Sequence, residues 1–78
     1  MLHYNVKYWE TFEDYWVDHK RGKPTSGRYY DTRLKAASRA TKLAVDNGSA
    51  AVSKVVTTSG EVVCMYADCG PLGTGWID

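Results

Sequence analysis

An α+β domain, built as a four-stranded and mainly antiparallel sheet with one helix packed on a face (β-β-α-β-β), is what the sequence predicts. Three observations carry it. A helix-period apolar stripe runs through "DTRLKAASRATKLAVDNG", residues 31–48. Two β-branched runs follow it, separated by a turn dipeptide. A strictly alternating segment opens the chain. With 78 residues there is material for one domain, near the size at which a chain must bury its apolar area densely to be stable. Three Trp, six Tyr and one Phe supply that density, since each buried ring removes roughly 150–250 Å² from water.

Taken in chain order, "LHYNVKYW" puts Tyr4, Val6 and Tyr8 on one side of a strand and His3, Asn5, Lys7 and Trp9 on the other. The next stretch, "YWETFEDYWVD" (8–18), holds five aromatic rings and four carboxylates in eleven positions, and it pulls two ways. Strand propensity in "YWV" and a turn at 10–13 favour a hairpin of 2–9 with 14–20. Against this, "TFED" resembles a capping box on Thr11. Tyr8, Phe12, Tyr15 and Trp16 share a helical face, and Lys20-Arg21 before Gly22 would end a helix over 11–21. That alternative gives β-α-α-β-β. The hairpin is the favoured expectation.

"GKPTSG" reads as a turn or mobile loop, and "RYY" leads extended into the helix. Asp31 or Thr32 caps that helix, and Asn47-Gly48 supplies its left-handed exit. Leu34, Ala37, Ala40 (or Thr41) and Ala44 recur at helical spacing, widened by Ala36 and Leu43, while Lys35, Arg39, Lys42 and Asp46 fall opposite. So small a stripe requires close approach to a bulky neighbour. After Gly48 the period becomes two: "AAVSKVVTT" (50–58) and "EVVCMYA" (61–67) form an antiparallel pair about the hairpin signal "SG". The tail from 69 to 78 carries three glycines and a proline and is expected to have no regular structure, with Trp76 and Ile77 folding back onto the sheet.

The net charge of +1 conceals a segregation: residues 1–18 sum to −3, residues 19–42 to +7 and residues 43–78 to −3. Such blocks create fields the total hides. No basic-then-apolar leader opens the chain and no apolar run is long enough to span a bilayer, so a cytoplasmic protein without a membrane role is expected. Its two cysteines should then be reduced.

No reaction is legible. Cys64 and Cys69 are spaced C-x4-C, but a metal site wants about four ligands, and His3 and His19 stand at no recognisable ligand spacing. Cys64 reads instead as a small apolar residue of its strand. "GPLGTG" lacks the Lys-Ser/Thr of a phosphate loop and precedes no helix. His19 beside Asp18 has no oriented nucleophile. No catalytic residue, metal or cofactor is therefore expected. Binding residues are a different matter. Glu10, Glu13, Asp14 and Trp16 belong to an acidic–aromatic surface of the kind favoured at protein interfaces, which can also imitate a phosphate backbone. Arg33, Lys35, Arg39 and Lys42 line a basic helix face that suits nucleic acid or an acidic protein. Each set also has a plain reading, as core rings with solubilising acids and as a solvated outer face.

The helix followed by the "VVTTSGEVVCMY" hairpin, in so small a chain with charged aromatic faces, resembles small phage-encoded inhibitors of the anti-CRISPR type. The resemblance lies in size and architecture and matches no motif residue by residue. It implies stoichiometric binding to a bacterial defence complex, blocking its nucleic-acid or partner site. A nucleic-acid-binding module using the basic helix 32–47 is the alternative. A protein partner, and a monomer or a homodimer paired through an outer strand, complete the expectation.

Overall fold

The structure is a computed structural model that describes residues 3–25 and 29–72. The expected fold-back of Trp76 and Ile77 lies outside the described residues. In chain order the elements are β1 (Tyr4–Trp9), α1 (Phe12–Val17), β2 (Lys23–Pro24), α2 (Arg33–Thr41) with a π-helical continuation (Lys42–Asp46), β3 (Val52–Thr57), β4 (Val62–Ala67) and β5 (Gly70–Pro71). They form one antiparallel sheet in the order β2-β1-β3-β4-β5. The α+β class is as expected, but the sheet has five strands, and a second helix follows β1.

That second helix corrects the favoured hairpin. Locally, Thr11 is extended and its Oγ1 accepts from the Asp14 N–H at 3.0 Å, while Glu13 and Asp14 place negative charge on the first turn. The decisive cause is tertiary. Both edges of β1 are already taken, by β3 along its whole length and by β2 at Lys7↔Pro24 and Tyr8↔Lys23. A strand over 14–20 would have nowhere to pair. The helix also ends earlier than the 11–21 alternative, because Asp18 closes it with its N–H on the Asp14 carbonyl at 3.0 Å.

Side-chain alternation divides the sheet into two buried faces. Val6 and Val55, with Tyr4, Tyr8, Val63, Cys64 and Tyr66, pack against Ala36, Ala40 and Leu43 of the long helix. On the reverse face Trp9, Val52 and Met65 enclose Tyr15 of α1. In β4 a bulge after Val62 lets both cores be served: Val55 pairs with Cys64 and Val56 with Val62, so Val63 is the extra residue. All six residues of β3 are buried, as befits the central strand.

The helix stripe is rotated from the one expected. Ala36, Ala40 and Ala44 are fully buried, whereas Leu34 is 80% exposed. An all-alanine contact line lets the backbone approach so closely that the Ser53 hydroxyl donates to the Ala40 carbonyl at 2.7 Å. A leucine at that line would hold the helix off. Ala40→Leu is accordingly expected to cost about 1–3 kcal/mol through overpacking, read as a lower urea midpoint, while Leu34→Ala should leave that midpoint nearly unchanged. Past Thr41 the helix widens, with the Asn47 N–H on the Lys42 carbonyl at 2.8 Å, and Gly48 exits at φ 62°.

Two turn expectations also shift. The β3–β4 connection is not a two-residue loop but spans 58–61, closed by the Thr57 N–H on the Glu61 carbonyl at 2.8 Å, with Gly60 at φ 91°. Part of the tail is regular after all: Gly70 and Pro71 pair with Ala67 and Tyr66. The sheet edges are therefore β2 and β5, each of two residues, and each contains a proline. Such short edges offer little ladder to a second copy.

Candidate functional site

α1 is too short to be held by its own backbone and is fixed by what surrounds it. Its inward residue, Tyr15, is fully buried and meets the Trp9 ring edge-on at 5.0 Å. The Trp9 indole N–H in turn donates to the Asp18 carbonyl at 2.6 Å, tying the exit of the helix to β1. Gly22 passes so close to this ring that an added Cβ would lie 3.2 Å from it, at φ +74°, and so only glycine fits comfortably there.

With one residue inside, the other rings stay out. Phe12, Trp16 and Val17 are 44%, 66% and 81% exposed. Among them stand the exposed carboxylates of Glu13, Asp14 and Asp18. Trp16 leans edge-on against Tyr15, centroids 5.3 Å apart, which restrains the exposed indole. Between α1 and β2 lies an open cleft of about 250 Å³ bordered by Glu13, Asp14, Asp18 and Lys23.

Of the acidic candidates, the helix unites Glu13, Asp14 and Trp16. Glu10 is drawn elsewhere. Its carboxylate pairs with the Lys23 ammonium at 2.6 Å, and this neighbour holds the Lys23 pKa above the usual lysine range. Glu10 also borders a separate cleft of about 280 Å³ with Arg39, Tyr8 and Leu43. The basic candidates Arg33, Lys35, Arg39 and Lys42 are all exposed, along α2 and its π-helical continuation. Lys35 is paired with Asp31 at 3.1 Å, which holds the Asp31 carboxyl below its ordinary value. Because α1 and α2 cover opposite sheet faces, Glu13, Asp14 and Trp16 stand apart from the basic set, and the two sets meet at the cleft that Glu10 shares with Arg39.

A third cluster escaped the sequence reading. Lys54, in the centre of the central strand, is only 3% exposed. Its ammonium donates to the Lys20 carbonyl at 2.6 Å and sits 5.2 Å from the centre of the Trp9 ring. Burial first, and the charge of Lys7 second, push its pKa down. Lys7, Lys20, Arg21, Lys54, Val56 and Gly60 line an open depression of about 230 Å³. The signal was present in "VSKVV", a lone cation inside an apolar strand, but its companions come from distant segments.

Cys64 is half-buried on β4 with its Sγ 3.6 Å from the Tyr66 hydroxyl, and Cys69 is exposed; both thiols are free. Among the described residues, no group of three or more His, Cys, Asp or Glu is placed to hold a metal. No helix among them is long and apolar enough to cross a membrane. The chain matches no family model, no curated protein and no solved structure.

Proposed function

We propose that this protein is a non-enzymatic binding protein that acts by occlusion, docking the acidic–aromatic face of α1 into the basic, nucleic-acid-binding groove of a protein partner. The observation that supports it is a six-residue helix that buries one side chain and holds Phe12, Trp16 and Val17 in solvent beside Glu13, Asp14 and Asp18. Exposed apolar groups clustered with charge mark interaction surfaces. The restrained Trp16 is a pre-organised anchor, with less rotamer freedom to lose on binding. The acids select a partner of opposite sign. Glu13, Asp14 and Trp16 make the contacts, while Glu10 contributes only by exchanging its bond to Lys23. The resemblance to small phage inhibitors makes a bacterial CRISPR effector complex the first partner to try, with a protein confined to the host cytoplasm.

The test is a calorimetric titration of a purified effector complex with the wild type, Trp16→Ala and Glu13→Lys/Asp14→Lys. Saturation at one inhibitor per groove is expected, with binding weakened about 30-fold or more by Trp16→Ala and abolished by the double reversal. Target DNA bound beforehand should compete. Affinity indifferent to the charge reversal would defeat the reading.

The second reading, a nucleic-acid-binding module, is favoured by the exposed row of Arg33, Lys35, Arg39 and Lys42. It requires affinity for an oligonucleotide at about 50 mM salt, where phosphate contacts are strongest. A flat filter-binding titration there eliminates it.

A further inference from the structure

We infer that the depression between β1, β3 and the 18–22 loop is an anion site that takes a single phosphate group, with Lys54 at its floor and Lys7, Lys20 and Arg21 around it. The first support is electrostatic. Lys7 and Lys54 are directly opposite on neighbouring strands, and like charges so placed repel. Lys20 and Arg21 then bring two further cations to the same depression, and none of its lining residues is acidic. A self-repelling cluster of this kind is compensated when an anion enters.

The second support is the state of Lys54 itself. A buried ammonium needs its charge countered and its donors used. Here its interactions are one carbonyl and one ring face. Neither carries a full negative charge. The carboxylate with an effect on it, Asp18, does less than either burial or Lys7. The third support is shape. The floor is the central strand, so the lysine is held in place before any ligand arrives, while Lys20 and Arg21 are exposed on the loop at its rim. A phosphate dianion supplies enough charge and acceptors to meet several cations at once. This site is separate from the α1 face, and its test does not involve the protein partner.

The experiment is a titration of the full chain with inorganic phosphate at constant ionic strength, followed by amide chemical shifts and by melting temperature. Shifts at Lys7, Lys20, Arg21, Lys54 and Gly60 should saturate as a 1:1 isotherm. At ten times the dissociation constant the melting temperature should rise by about 5–10 °C. Arg21→Ala changes an exposed side chain, keeps the fold and should weaken binding at least about tenfold. Lys54→Met, close to lysine in length and apolar, should abolish saturation. Phenyl phosphate binding like the free ion assigns the site to phosphomonoesters in general. Shifts that never saturate, or that are the same in Arg21→Ala, overturn the proposal. So does saturation by an oligonucleotide but not by phosphate, which would reassign the depression to a nucleic-acid backbone.

Discussion

Tyr15→Ala should cost about 3–5 kcal/mol, the range for truncating a fully buried ring, and should release α1 from the sheet. Tyr15 is the residue of that helix with no solvent exposure, and the helix is far below the length at which a backbone holds itself helical. Removing its anchor therefore removes a whole element. Urea unfolding with both Trp fluorescence and far-ultraviolet circular dichroism checks this, since the Trp9 environment should become solvent-like at a lower midpoint. The edge-to-face contact of Tyr15 with Trp9 at 5.0 Å should appear as a coupling of about 0.5–1.5 kcal/mol in a double-mutant cycle with Trp9→Phe. Trp16→Ala, one residue along, should cost about 1 kcal/mol or less, because its ring is mostly in water. Equal costs at 15 and 16 would contradict the helical placement of this segment.

Met65→Ala should cost about 2–5 kcal/mol. Met65 is among the largest fully buried side chains, and it fills the reverse-face core with Trp9, Tyr15 and Val52. It lies opposite Lys54 in the β3–β4 ladder, so a cavity there also loosens the support of the buried lysine. Met65→Leu conserves the volume and should stay below about 1.5 kcal/mol. The contrast between the two variants, measured as denaturation midpoints at constant slope, separates a packed core from a loosely filled one. Losses of similar size would mean that shape rather than volume is decisive at this position.

These two residues belong to the half of the molecule that patterns in the sequence describe least well. The long helix was legible because its period persists over many residues and its cap and glycine exit agree with it. Even so, a small-residue stripe leaves its angular position loose, and Leu34 turned out to face solvent while Ala36 faced the sheet. The strands at 52–57 and 62–67 were legible from β-branched runs, yet the bulge at Val63 was not, since it answers to two cores at once. Of the candidate contacts, Glu13, Asp14 and Trp16 are gathered by one short helix. Glu10 falls to Lys23, a partner thirteen residues away that periodicity does not reveal.

By itself the sequence determined an α+β domain, the long helix capped at Asp31 or Thr32, the two valine-rich strands, and an opening strand with Val6 and Trp9 on opposite sides. Each of these is a local agreement of period, propensity and turn chemistry. Only the tertiary structure decided the period of the aromatic segment. Strand and helix are nearly balanced there, and the occupied edges of β1 exclude the strand. Tertiary structure alone also assembled the lysine-lined depression, for Lys7, Lys20, Arg21 and Lys54 lie on two strands and a loop whose adjacency is a property of the sheet order.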